Sequence, residues 1–250
     1  MGMVFPTTRW TLLAEATLNG DPAGQAALTR MCEAYRRPIE DFLGSRGCKP
    51  QEIDDLVQDF FLRWLKSRAW KRADKDRGRF RNFVLGGVMH VLAKHHSHVQ
   101  TQKRGGGVEA DSLDAMTEAG IEAPCPDSEF VMEFDRRWAV SLVENTLAAV
   151  AEDEQERGKT AEFAVLRHFL PGAEEMISLE EAVARLGTNL NVVKVTVHRL
   201  RARFRERLRA EVARTVSAPH EIEEELLYLR SLLLSQPKTG TPAAENGKTP

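Results

Sequence analysis

Apolar residues recur three and four positions apart along most of the chain, which is the spacing of one face of an α-helix. No segment shows the alternation of polar and apolar residues that marks a half-buried strand, so the pattern predicts an all-α fold. Predicted helices lie after Thr7 or Thr8 up to Asn19-Gly20, and at about 23–43, 53–65, 79–102, 137–150, 160–170 and 178–186. The clearest apolar face consists of Ile53, Leu56, Val57, Phe60, Phe61, Trp64 and Leu65.

Residues 189–209 are ambiguous at first sight, because six arginines alternate there at the period of a strand. The apolar residues resolve the ambiguity, since they are spaced by three and four and fall in one narrow stripe of a helix. Asn189 is a suitable N-cap for this helix, and Ser178 for a short helix before it that ends at Gly187. A short helix, a glycine turn and a basic helix predict a helix-turn-helix. The stripe consists of Val193, Val197, Leu200, Phe204, Leu208 and Val212.

The formal net charge of -2 hides a strong sorting of charge along the sequence. Residues 63–104 carry twelve Lys or Arg and two acids, whereas residues 105–135 carry nine acids and no Lys or Arg. Residues 185–209 carry eight basic residues and one acid. Two basic blocks on either side of an acidic one favour a protein that binds nucleic acid at two places.

Charge, glycine and proline content divide the chain into six predicted segments. No apolar run approaches the roughly 20 residues that span a bilayer, and the N-terminus lacks the layout of a signal peptide, so we expect a cytoplasmic protein with no membrane contact. Cys32, Cys48 and Cys125 are isolated, which suits a reducing compartment. The segments are an N-terminal extension (1–22), a helical domain (23–104), an acidic flexible linker (105–136), a helix-turn-helix domain (137–217), an acidic C-terminal helix (218–235) and a disordered tail (236–250).

The predicted helix-turn-helix carries side chains suited to DNA. In such a motif the first residues of the second helix reach base edges in the major groove. Lys and Arg donate to guanine or phosphate, Thr and Val contact the thymine methyl group, and arginines further along the helix neutralise phosphates. The predicted DNA-binding residues of this domain are Asn191, Lys194, Val195, Thr196, His198, Arg199, Arg201 and Arg203.

Two motifs, in the expected order, resemble the extracytoplasmic-function (ECF) group of bacterial sigma-70-like RNA polymerase sigma factors. D-L-V-Q-D-F-F-L-R-W at 55–64 is similar to the region two signature, and L-G-T-N-L-N-V-V-K-V-T-V-H-R-L-R at 186–201 is similar to region four. The similarity covers about 23–104 and 137–212. Asn191 stands where many relatives have Gly, and Val195 and Thr196 replace residues that are often polar or basic, so the resemblance does not identify the upstream promoter element.

The resemblance implies a protein without catalysis or cofactor that binds core RNA polymerase, directs it to promoters and melts DNA for transcription initiation. In the family, the acidic face of the region two helix docks on the clamp helices of the beta-prime subunit, and the beta flap and an anti-sigma or other regulatory protein are further partners. The implied docking residues here are Asp54, Asp55, Gln58, Asp59 and Phe61.

The next helix in the family melts and reads the minus-ten element, for which a cationic groove and flat stacking groups are suited. Region four reads the minus-thirty-five element, and the acidic connection between the two regions runs through the polymerase cleft, where it imitates nucleic acid. The implied minus-ten residues are Arg79, Arg81, Asn82, His90, Lys94, His95, His98, Lys103 and Arg104.

Three other interpretations compete with this one. A stand-alone helix-turn-helix regulator explains the second half of the chain but gives the acidic face at 54–59 no purpose. A nucleic-acid enzyme lacks support, since the sequence has no P-loop and no Ser/His/Asp arrangement. A metal site at His95, His96 and His98 is disfavoured, because adjacent histidines on a helix point about 100° apart and no acid or cysteine completes the set.

Overall fold

The computed structural model describes residues 22–67, 79–103, 127–173, 175–213, 215–216 and 218–235. Within these ranges the chain forms helices and no strand, which confirms the all-α prediction. The predicted N-terminal helix, Arg104 and most of the predicted linker lie outside the described residues. The α-helices are α1 (Pro22–Ser45), α2 (Pro50–Lys66), α3 (Phe80–Lys103), α4 (Ser128–Glu156), α5 (Thr160–Leu166), α6 (Leu179–Leu186), α7 (Leu190–Ala213) and α8 (Glu221–Leu234).

The helix ends follow local sequence signals. Ser178 Oγ accepts a hydrogen bond from the Glu181 N–H at 3.0 Å, which caps α6. Gly187 ends α6 in the left-handed conformation with φ 60, a geometry that favours glycine. Asn189 Oδ1 accepts from the Val192 N–H at 3.1 Å and caps α7. The predicted caps of the helix-turn-helix are therefore confirmed.

The predicted linker is wrong for residues 128–136, because α4 begins at Ser128. The Asp127 carboxylate accepts from the Glu129 N–H at 3.3 Å, so the acids that suggested a linker stabilise a helix start. Phe134 is fully buried, and Arg46, just after α1, lies 4.0 Å above the Phe130 ring. Apolar residues at helical spacing thus continue through the acidic segment.

The first hydrophobic core lies among α1, α2, α3 and the first half of α4. Phe42 of α1 meets Phe134 of α4 edge to face, with ring centroids 5.7 Å apart. The end of α7 and the C-terminal α8 join this core through Val212, Ile222 and Leu229. The C-terminal helix predicted from sequence therefore forms and packs on the first domain.

The second core belongs to the helix-turn-helix. Val193, Val197, Leu200 and Phe204, four of the six residues of the predicted stripe, pack with residues of α4, α5 and α6. Because α4 contributes Phe134 to the first core and α7 contributes residues to both, two long helices connect the domains without a break. At 29 residues, α4 is about 43 Å long.

Gly87 marks the closest approach of α3 to α2. A Cβ at this position would lie 2.9 Å from Phe60 Cε2, and Phe60 is only 4% exposed. We expect Gly87→Ala to lower the free energy of unfolding by about 1 kcal/mol in chemical denaturation, because overpacking costs about 1–3 kcal/mol and the gain in helix propensity recovers about 1 kcal/mol.

Gly44→Ala is the matched control. Its Cβ would lie 3.6 Å from Ile53 Cδ1, an ordinary contact, so this variant should be as stable as the unmodified chain or more stable. Equal changes in the two denaturation midpoints would contradict the close approach of α2 and α3.

Candidate functional site

The acidic side of α2 faces away from the first core. Leu56, Val57, Phe60 and Trp64 are buried on one side, while Asp54, Asp55 and Gln58 are exposed. Asp54 accepts from Arg36 Nη2 at 3.2 Å, and both Asp59 oxygens lie 2.7 Å from Arg63 Nε. The predicted docking residues are thus brought together on one face, and two of the three carboxylates already have an arginine partner.

Leu62 adds an apolar side chain to the same face. It follows Asp55 by seven positions and Gln58 by four, and it is 46% exposed. Phe61, predicted as a docking residue, is only partly exposed and packs against Phe60, with ring centroids 5.1 Å apart. Sequence reasoning missed Leu62, although its spacing from Asp55 and Gln58 was the signal that could have found it. We call Asp55, Gln58, Asp59 and Leu62 the α2 face.

The predicted minus-ten residues fall into separate places along α3. His90, Lys94 and His98 are exposed and lie four residues apart, so they share one side of the helix. Arg79 and Arg81 lie at the other end, more than two helical turns from His90. Asn82 and His95 are partly buried. The Lys103 side chain, like Arg104, lies outside what the structure describes.

Arg81 is buried in this structure, so the prediction that it is exposed to DNA is wrong for this conformation. Its side chain is 2% exposed, and its Nε and Nη1 donate to Asp135 Oδ1 and Glu225 Oε1, each at 2.5 Å. Burial acts to lower the pKa of Arg81, but attraction to Asp135 and Glu225 outweighs it and raises the pKa. The guanidinium therefore stays charged and is held by two carboxylates.

Arg79 and Tyr228 complete this arrangement. Arg79 Nε donates to Glu225 Oε2 at 2.9 Å, and its guanidinium lies 4.2 Å from the centroid of the Tyr228 ring. The Tyr228 hydroxyl donates to Asp135 Oδ2 at 2.6 Å. Burial, with the neighbouring Asp135, raises the pKa of Tyr228 to about 12, so the hydroxyl keeps its proton. We call Arg79, Arg81, Asp135, Glu225 and Tyr228 the charge cluster.

Removal of Glu225 should destabilise the fold, because Arg81 would keep a buried charge with one partner instead of two. We expect Glu225→Ala to lower the free energy of unfolding by about 3–5 kcal/mol, the usual cost of breaking a buried ion pair. Glu224→Ala removes an exposed carboxylate from the neighbouring position and should change the free energy of unfolding by less than about 0.5 kcal/mol. Similar thermal melting curves for the two variants would contradict the burial of the charge cluster.

The first turns of α7 present a mixed polar and apolar surface. Asn191, Lys194, Val195 and His198 are exposed and are spaced so that they share one face of the helix. The Thr196 hydroxyl donates to the Val192 carbonyl at 2.9 Å, so it can offer DNA its methyl group and a hydrogen-bond acceptor but not its proton. Val192 is 48% exposed and was missed by sequence reasoning, although it lies one turn before Val195 and Thr196, which were predicted to contact DNA.

The arginines of α7 divide into two groups. Arg199 and Arg201 are exposed, and Arg201 Nε donates to the Phe169 carbonyl at 3.0 Å. Further along, Arg203 pairs with the buried Glu154, Arg207 pairs with Asp153 at 2.6 Å, and Arg209 pairs with Glu223. The prediction of Arg203 as a phosphate contact is therefore corrected, since a buried carboxylate of α4 already holds it.

The described part of the chain gives no support for a metal site or a membrane-spanning helix. Among the residues that the structure describes, no group of three or more His, Cys, Asp or Glu side chains could hold a metal ion. None of the described helices is long and apolar enough to cross a membrane.

Residues 31–97 match the family model of Sigma-70 region 2. The matched segment is about a quarter of the chain and covers most of α1, all of α2 and much of α3. No curated protein and no solved structure matches the chain significantly. The match supports a sigma factor of the sigma-70 type, with a role in RNA polymerase binding and promoter melting.

Proposed function

We propose that this protein is an ECF-type sigma factor, which binds core RNA polymerase and directs it to promoters. The observation that carries the proposal is the match of residues 31–97 to Sigma-70 region 2, with the α2 face exposed at its centre. A helix-turn-helix on a second core supplies the other DNA-binding unit that such a factor needs. Its partners, core polymerase and promoter DNA, imply a place in the bacterial cytoplasm.

The α2 face is suited to bind a basic helical surface such as the clamp helices of the beta-prime subunit. Carboxylates at the edge of an interface speed association and select the partner, while a desolvated apolar side chain contributes more of the affinity. Asp55 and Gln58 lie outside the first core, and Leu62 offers the apolar contact. Arg63 Nε donates to both Asp59 oxygens, which favours one orientation of this carboxylate on the face.

The two DNA-binding units are held at a set separation, because α4 and α7 pass through both cores. The first unit offers His90, Lys94 and His98 on α3 to the minus-ten element. The second offers Lys194, Val195 and Arg199 on α7 to the minus-thirty-five element. Such a connection suits a factor that reads two elements a fixed distance apart on DNA.

Charge reversal on the α2 face tests polymerase docking. We expect Asp55→Arg combined with Asp59→Arg to reduce promoter-dependent run-off transcription by at least about 100-fold, because like charges placed opposite a basic surface cost several kcal/mol. Copurification with core polymerase should fall in parallel, while the circular dichroism spectrum stays the same.

Glu33→Arg combined with Asp41→Arg is the matched control, since both are exposed acids of α1 outside this face. This variant should retain most of the transcription. If the α2 variant transcribes as well as the α1 variant, the docking assignment is wrong, and if the unmodified chain binds promoter DNA but not polymerase, the protein is a stand-alone regulator.

The N-terminal turns of α7 are tested by removing two charges. Lys194→Ala with Arg199→Ala should weaken binding of the holoenzyme to the upstream promoter half by at least about 30-fold, because two contacts are removed and each base contact contributes about 1–3 kcal/mol. The slope of log K against log salt should fall by about 1 for each phosphate that the variant no longer neutralises.

Lys159→Ala with Arg230→Ala removes the same two charges from exposed positions outside α7 and should leave both the affinity and the salt slope nearly unchanged. Footprints of equal strength for the two double variants would show that the first turns of α7 do not enter the groove.

A further inference from the structure

The acidic residues of α8 bind arginines from both basic blocks of the sequence. Glu225 holds Arg79 and Arg81, which belong to the block at 63–104, and Glu223 pairs with Arg209 of the block at 185–209. A carboxylate on a guanidinium makes the same kind of charge-assisted hydrogen bond that a phosphate makes. The helix therefore satisfies, within the chain, cations of the type that nucleic acid would bind.

An apolar side and a hydrogen bond near its end also fix α8 in place. Ile222, Leu229 and Leu232 are buried in the first core. At the C-terminal end, Arg136 Nε of α4 donates to the Leu232 carbonyl at 3.0 Å. Ile222 and Leu229 lie about one turn before and after Glu225 on α8, so Arg81 stays buried while this helix is in position.

We propose that α8 is a built-in inhibitor of DNA binding by the first domain. In the free protein α8 lies on the first core, the closed state, and Glu225 holds Arg79 and Arg81 at the start of α3. When α8 is displaced, these two arginines bind promoter DNA instead. The inference rests on the proposed function, since it concerns the DNA-binding helix of the Sigma-70 region 2 segment. In addition to that function, α8 restrains DNA binding by the free protein.

The charges of the cluster favour the replacement of Glu225 by another anion. Two arginines face two carboxylates in the closed state, so departure of Glu225 leaves two cations beside the single carboxylate of Asp135. The exposed surface is then cationic and attracts phosphate. A phosphate that takes the place of Glu225 keeps both guanidinium groups paired, so the cost of leaving a buried charge without a partner is avoided when the helix departs.

Full-length variants test the competition without polymerase. Glu223→Gln with Glu225→Gln keeps the side-chain shapes and removes both carboxylate charges. We expect this variant to bind a fluorescein-labelled, random-sequence single-stranded DNA oligonucleotide at least about fivefold more tightly than the unmodified chain, as measured by fluorescence anisotropy. Addition of Arg79→Ala to the variant should abolish most of this gain.

Glu156→Gln with Glu224→Gln is the matched control, because it removes the same charge from exposed positions of α4 and α8. Equal affinities for the two double variants overturn the proposal, as does a gain that survives Arg79→Ala. Circular dichroism melting shows whether the Glu225 variant is folded at the temperature of the assay.

Hydrogen exchange on the unmodified chain provides a measurement that needs no variant. Amides of residues 221–234 should be protected in the free protein and should lose at least about tenfold of this protection in the complex with core polymerase and promoter DNA. Unchanged protection in a complex that transcribes overturns the inhibitor and leaves the proposed function intact. Failure of the unmodified chain to bind polymerase contradicts the proposed function, and the oligonucleotide assay still decides whether α8 competes with DNA.

Discussion

The buried guanidinium of Arg81 constrains how α3, α4 and α8 pack together. A charge that is 2% exposed is tolerated only where carboxylates compensate it, and the two that do so come from α4 and α8. Three helices, far apart in sequence, must therefore meet at one point. Trp138 and Tyr228 enclose that point, with ring centroids 4.8 Å and 5.8 Å from the Arg81 guanidinium carbon. The position of α8 over the start of α3 follows from this requirement.

The second constraint is the continuity of α4. Its first half supplies Phe134 and Trp138 to the core that carries the α2 face, and its second half supplies Val150 to the core that carries the helix-turn-helix. Glu154 and Asp153, near its end, bind Arg203 and Arg207 of α7. The two cores are thereby joined by packed side chains and ion pairs along one continuous helix.

Periodicity and capping were sufficient to predict the elements that depend on local interactions. The stripe from Val193 to Phe204 is buried as its spacing required, and Ser178, Gly187 and Asn189 occupy the predicted caps. The errors concern long-range pairing. Arg81 looked like a surface cation because the sequence does not show Glu225, 144 positions away, beside it. The acids near 127–135 looked like a linker because their composition was placed above the spacing of Phe130 and Phe134.

Some of the six alternating arginines of α7 also have long-range partners that the sequence does not show. A period of two on a helix distributes side chains over both flanks of the buried stripe, so some arginines must face α4 and α8 while others face solvent. Arg203, Arg207 and Arg209 have carboxylate partners there, whereas Arg199 and Arg205 are exposed and take part in no ion pair among the described residues. The first turns of the helix are thus left for DNA, and the last turns hold the helix-turn-helix against the remainder of the chain. One run of identical residues therefore has two functions, and the position of each arginine around the helix axis decides which one it serves.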